Sequence, residues 1–181
     1  MRQHTPAKNI ILIGMPGAGK STVGVILAKT LGMTFVDTDI AIQERTGRLL
    51  QEIIDMEGPA AFLKTEEETV LSLSCRNSVI ATGGSVVFSG NAMEHLKEDG
   101  VVVYLAISFD EMAKRLRNIT ARGIVLFSGE NLSDMYHERV PLYEKYADIT
   151  VDCEGEDFEE VVGEVIEEIS GERRISPGSN K

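Results

Sequence analysis

Residues 14–22 read Gly14-Met15-Pro16-Gly17-Ala18-Gly19-Lys20-Ser21-Thr22. They fit G-x-x-x-x-G-K-[ST] at every fixed position, the pattern of a loop that cradles phosphates. Gly14, Gly17 and Gly19 let the backbone turn and bring its N–H groups close to phosphate oxygens. Lys20 would reach the β- and γ-phosphates and Ser21 would ligate Mg²⁺. Such a match arises by chance in roughly one chain of this length in a hundred or fewer. Two more groups carry potential chemistry. Asp37 and Asp39 are candidates for Mg²⁺ and for contact with a substrate hydroxyl. Arg115, Arg117, Arg122 and Arg139 are the cations nearest to a Gly-containing polar stretch. An arginine from a mobile lid can stabilise charge on a transferred phosphoryl group, whereas an isolated surface arginine is more often simply solvated.

These residues need elements to hold them. Ile10-Ile11-Leu12-Ile13 reads as a strand buried on both faces. The run from Val23 reads as the helix whose N-terminus faces the phosphates. Met33–Asp39 reads as a short strand ending in the two carboxylates, at the strand end where open α/β sheets bind ligands. The alternative there is that Thr38 or Asp39 only caps a helix starting near Ile40. Gly47 ends that helix, a short helical turn follows over Leu49–Ile54, and Gly58-Pro59 breaks the pattern. Ala60–Cys75 reads as a long helix with Phe62, Leu63, Val70, Leu71 and Leu73 as its apolar positions. The Glu66-Glu67-Glu68 run reads as its solvated face, the minority reading being that one carboxylate orients a site residue. Ser78–Thr82 is the next strand. It ends at Gly83-Gly84-Ser85, where two glycines permit close approach of a ligand. Asn91–Glu98 (helix), Val101–Leu105 (strand) and Asp110–Leu116 (helix) follow. The lid candidate spans 117–139 and ends in a helix from Leu132, with Pro141 as a break. Ala147–Asp152 is a last strand, Phe158–Ile169 a last helix, and the stretch from Gly171 reads as a disordered tail.

About five strands alternate with helices. The predicted fold is therefore an α/β P-loop three-layer sandwich: a five-stranded parallel sheet with helices on both faces and a mobile lid. One domain spans residues 1–170. The composition agrees, with 43% hydrophobic and 26% charged residues among 181. A net charge of −11 argues against nucleic acid as a partner held by a broad basic surface. Cys75 and Cys153 show no CxxC spacing and read as reduced thiols of a cytoplasmic protein. No apolar run reaches membrane-spanning length, and a monomer is expected.

Taken together these stretches resemble the shikimate kinase family. The resemblance rests on the P-loop, Phe35-Val36-Asp37-Thr38-Asp39, Gly58-Pro59-Ala60-Ala61-Phe62, Ala81-Thr82-Gly83-Gly84, Gly100–Leu105, and Arg139-Val140-Pro141-Leu142-Tyr143 followed by Ala147-Asp148. It implies transfer of the ATP γ-phosphoryl to the 3-hydroxyl of shikimate. It also implies roles. Asp39 would hold that hydroxyl and take its proton, and Asp37 would help Ser21 to hold Mg²⁺. Gly17, Ala18, Gly19, Lys20, Ser21 and Thr22 would bind the nucleotide, with Arg115 stacked on adenine and Arg122 as the lid arginine. Gly83 and Gly84 would meet the acceptor, and Arg139 would bind its carboxylate.

Four departures from the family's pattern stand out. Leu63 replaces an arginine that binds the shikimate carboxylate, and the adjacent Lys64 is turned about 100° away on a helix. Ser85 replaces a third glycine and adds a side chain at the acceptor wall. Gly123-Ile124-Val125 follows the lid arginine in place of Pro-Leu-Leu. The stretch 153–158 lacks the family's proline near adenine. Three of these touch the acceptor or the lid, and the triphosphate residues are intact. Three readings follow: a shikimate kinase, a kinase of the same fold for another small hydroxylated metabolite, or a catalytically silent nucleotide-binding module.

Overall fold

The computed structural model describes residues 8–117, 124–125, 130–155 and 157–175. Five parallel strands lie in the order β2-β3-β1-β4-β5. They are β1 (Asn9–Ile13), β2 (Thr34–Asp37), β3 (Ser78–Ala81), β4 (Gly100–Ala106) and β5 (Ile149–Asp152). Every residue of β1 is buried. That is the cost-free state for Ile-Ile-Leu-Ile only when ladders run on both sides and helices cover both faces. Asn9 fixes the register at the polar start of β1: its side chain donates to Cys75 O at 2.8 Å and accepts from Ser78 N at 3.0 Å. Edge strand β5 instead alternates buried and exposed residues.

The helices are α1 (Lys20–Leu31), α2 (Thr38–Thr46), α3 (Leu50–Glu57), α4 (Pro59–Ser72), α5 (Gly90–Glu98), α6 (Phe109–Arg117), α7 (Leu132–Tyr146) and α8 (Phe158–Ile175). α1 packs on α8, while α4 and α5 pack on each other and α7 packs on β4. A second, smaller apolar cluster lies off the sheet under α2, α3 and α4: Ile42, Leu50, Ile53, Phe62 and Val125, with Ile54 and Leu63 against it.

Four expectations need correction. The second strand stops at Asp37, and helix α2 begins at Thr38, so Asp39 sits in a first helical turn. The cap is Asp37, which accepts from the backbone of Asp39 at 3.0 Å and Ile40 at 3.4 Å. Pro141 lies inside α7 instead of ending it. An internal proline costs about 3 kcal/mol. Here the same helix buries Met135, Arg139 and Tyr143 at four-residue spacing, and that face offsets the missing bond. α8 runs past Gly171 to Ile175, since one glycine in a helix costs only about 1 kcal/mol. Finally, Glu66–Glu68 is no solvated face. Glu66 is buried, Glu67 accepts from Ser89 and Asn91, and only Glu68, paired with Arg45, stays at the surface.

Candidate active site

The loop between β1 and α1 takes its shape from its glycines. Gly14 and Gly19 have φ of 145° and 93°, in the region that L side chains avoid. A Cβ at Gly14 would lie 2.6 Å from Leu105 O, and one at Gly19 would lie 2.5 Å from the Phe158 ring. The loop therefore wraps Lys20, which is buried. Its Nζ donates to Gly14 O at 2.7 Å and to Met15 O at 2.9 Å. In the first turn of α1, Ser21 Oγ donates to Asp37 Oδ2 at 2.7 Å. This pair is a hydroxyl and a carboxylate side by side at a helix N-terminus. Mg²⁺ is held by one or two hard oxygen donors together with waters and phosphates, and the pair fits that demand.

Beside the loop, where a Cβ on Gly84 would lie 3.0 Å from Pro16 Cδ, β3 ends in the Thr82–Ser85 turn. It is pinned from three sides. Thr82 Oγ1 donates to Leu12 O at 3.0 Å, Gly83 N donates to the buried Thr38 Oγ1 at 3.0 Å, and Tyr143 Oη donates to Gly84 O at 2.5 Å. Burial pushes the Tyr143 phenol above its ordinary range, so it remains a donor. The turn approaches its neighbours so closely that no Cβ fits at Gly83. That atom would overlap Glu66 Oε1 and lie 2.9 Å from Asp39 Oδ1.

One cleft of about 370 Å³ connects these parts. Gly17, Gly19, Lys20, Ser21, Thr22, Asp37 and Asp39 line it with Thr82 and Gly84. Its far wall is Ile40, Gln43, Leu49, Leu50, Gln51 and Ile124. Ala18, Gly83, Arg115 and Arg139 lie off its surface, and Arg122 lies outside the described residues. Arg115 braces the loop. Its guanidinium donates to Gly17 O at 3.2 Å, to Cys153 O at 2.8 Å and to Gly155 O, while its Nε donates to Glu111 at 2.7 Å. Arg139 is 1% exposed, donates to Val125 O and lies 5.3 Å from the Phe88 ring centre. Its Nε has no partner among the described residues.

Two departures take on a definite form. Leu63 joins the apolar cluster with Phe62, Leu50 and Ile53, and Lys64 points to solvent. Ser85 does not stand in the cleft wall. It is buried and donates to Glu66 Oε2 at 2.7 Å. Sequence reasoning missed Thr38 and Tyr143 as parts of the site and held Glu66 only within the minority reading of the Glu66–Glu68 run. Glu66 was findable, because it falls four residues from both Phe62 and Val70, on the buried face of α4. Nothing local marks Thr38 or Tyr143.

Comparisons with known proteins give the family. The family model described as shikimate kinase matches residues 16–170. A shikimate kinase of Thermodesulfovibrio yellowstonii is 41% identical over 174 residues, covering 94% of this chain and 98% of the relative. A solved shikimate kinase of Acinetobacter baumannii in complex with shikimate superposes with a TM-score of 0.80 at 30% identity, over 91% of this chain and 94% of that one. The shikimate kinase of Aquifex aeolicus gives 0.77 at 32% identity, over 91% and 98%. The chain belongs to the shikimate kinase family, phosphotransferases that act on an alcohol group.

Proposed function

We propose that this chain transfers the γ-phosphoryl of MgATP to the 3-hydroxyl of shikimate. The observation that carries the reading is that one cleft is lined by both sets of residues: Lys20 and the Ser21–Asp37 pair, together with Asp39 and Gly84. Asp39 holds the acceptor hydroxyl and takes its proton as the oxygen attacks the γ-phosphorus, whose bond to the bridging oxygen breaks to release ADP. Lys20 neutralises charge on the transferring group, and the loop N–H groups orient the phosphates. Ser21 and Asp37 hold Mg²⁺, which supplies further charge neutralisation when bound. Arg115 flanks the adenine, and Arg122, outside the described residues, is assigned to the transferring phosphoryl group; Arg139, buried on α7 and donating to Val125 O, receives the acceptor carboxylate once that contact opens. The catalyst works by positioning and charge, as phosphoryl transfer demands. We read it as a cytoplasmic monomer acting on small molecules, with no nucleic-acid or membrane partner.

A second reading has its own support. The missing cation at Leu63 is filled by apolar packing, and the far wall of the cleft carries Ile40, Leu49, Leu50 and Ile124. Those features favour a hydroxylated acceptor that is less anionic than shikimate. ADP production with MgATP and shikimate, measured for the natural chain and Leu63→Arg side by side, separates the two. If shikimate is the acceptor, the natural chain turns over. The arginine then lowers the shikimate KM by roughly tenfold to a hundredfold, the worth of one charged hydrogen bond. An inactive natural chain sends the search to less anionic alcohols. ADP formation that depends on any added alcohol removes the silent-module reading.

The Gly83 turn gives a sharper expectation. In Gly83→Ala the new Cβ must displace Glu66, Asp39 or the turn itself. A misplacement of about 1 Å at a reacting group costs roughly a hundredfold in kcat/KM. ATP affinity should be unchanged, since the phosphate loop is not touched. Native kcat/KM for shikimate in Gly83→Ala would show that the tight turn plays no part in holding the acceptor.

A further inference from the structure

Glu66 is the only buried carboxylate among the described residues, at 2% exposure. It projects from α4 toward the back of the Gly83–Gly84 turn. Its two oxygens differ in surroundings. Oε2 accepts from Ser85 Oγ at 2.7 Å, whereas Oε1 is sealed from solvent with no hydrogen-bond partner among the described residues. A Cβ on Gly83 would overlap Glu66 Oε1 and lie 2.9 Å from Asp39 Oδ1, so both carboxylates border that glycine, and Asp39 acts on Glu66 through its charge. An ionised carboxylate accepts only, and a sealed, unmatched anionic oxygen near a second carboxylate is among the costliest arrangements in a protein. The same oxygen carrying a proton adds no charge there.

We propose that Glu66 is a positioning residue of the acceptor pocket that works uncharged: Ser85 pins Oε2, and Oε1 keeps a proton at the back of the Gly83 turn, so that no second carboxylate charge pushes on Asp39 or on the acceptor. The inference rests on the reading of Asp39 as the base that holds the acceptor hydroxyl. It makes Ser85, which departs from the family's glycine, part of the same device.

The charges around Glu66 agree. Burial is the largest influence and pushes its carboxyl up to about 8, and Asp39 on α2 adds to the rise. The Ser85 hydrogen bond, Arg139 on α7 and Lys20 on α1 pull the other way without overcoming burial. Tyr143, also on α7, faces the same group and keeps its proton. Because the value is raised, Glu66 is protonated through neutral pH and loses its proton only as pH climbs past about 8. A second negative charge then stands beside Asp39 and an anionic acceptor.

The test is the shikimate KM against pH at saturating MgATP, for the natural chain, Glu66→Ala and Glu66→Gln. For the natural chain, KM should be flat up to about pH 8 and then rise, approaching tenfold per pH unit, while the KM for ATP does not follow. Glu66→Ala should raise the shikimate KM about tenfold at neutral pH, as a lost buried hydrogen-bond partner would. Glu66→Gln, an uncharged isostere with an N–H donor, should rescue most of that loss and abolish the alkaline rise. Two results overturn the proposal. One is a Glu66→Gln variant as impaired as Glu66→Ala, which would make the charge itself the working state. The other is an alkaline rise that persists in Glu66→Gln. Carbon-13 NMR of glutamate-labelled protein, with Glu66→Gln as the assignment, needs no acceptor. A carboxyl titrating near 8 supports the uncharged state, and an ordinary carboxylate midpoint overturns it. If the natural chain fails to turn over shikimate at any pH, the functional reading fails, and the NMR titration still decides the state of Glu66.

Discussion

Asp39→Asn should lower shikimate turnover by roughly 10²–10⁴-fold, the contribution expected of a general base. ATP affinity should stay within a small factor of native. The argument is one of separation. Asp39 lines the cleft, while the loop that wraps Lys20 is built from residues of β1, α1 and their connection. The loss corresponds to about 3–5 kcal/mol of barrier. Its effect on folding should be far smaller. Asp39 lies in the first turn of α2, where a carboxylate gains about 0.3–1 kcal/mol from the helix dipole. The cap of that helix is Asp37, and it is untouched. Steady-state kinetics, ATP calorimetry and a thermal melt on the same sample therefore give three different answers for one substitution. Near-native turnover would remove Asp39 as the base.

Lys20→Ala has the next largest expected effect, on the phosphate half of the cleft. The ammonium already sits in the loop, donating to Gly14 O and Met15 O. Removing it strips a charged donor from the phosphates and leaves two loop carbonyls short of a partner. Charged hydrogen bonds are worth about 1.5–3 kcal/mol each. ATP affinity should then fall roughly tenfold to a hundredfold, whatever the acceptor. Isothermal calorimetry with ATP and no acceptor measures this directly. Unchanged affinity would falsify the assignment of this loop to triphosphate binding.

The two substitutions also sort the site by how readable it was. The phosphate half is written in nine consecutive residues, because a backbone cradle needs glycines at set positions and a helix immediately after. Hence Gly14, Gly19, Lys20 and Ser21 stand where the motif requires. The acceptor half is assembled from β2, α2, α4, the β3 turn and α7, and its logic is spread over distant positions. Asp39 was identifiable as a candidate, yet its setting was misread: the chain turns into a helix one residue after Asp37, and Asp37 is at once a cap and the partner of Ser21. Pro141 was read as a stop, because local propensity sees the missing N–H and not the buried face that holds α7 together.

By itself, the sequence determined the five parallel strands, the phosphate loop with its lysine and serine, and the two carboxylates at the end of β2 and just beyond it. Each depends on a short-range pattern: branched apolar runs, glycines at turns, or a helix start. The tertiary structure alone decided that Ser85 serves Glu66 instead of walling the cleft, and that Thr38 and Tyr143 clamp the Gly83–Gly84 turn. The physical reason is that the state of a polar side chain depends on what packs opposite it. For α4 the opposite surface comes from residues more than a dozen positions away, and no local period of the chain encodes them.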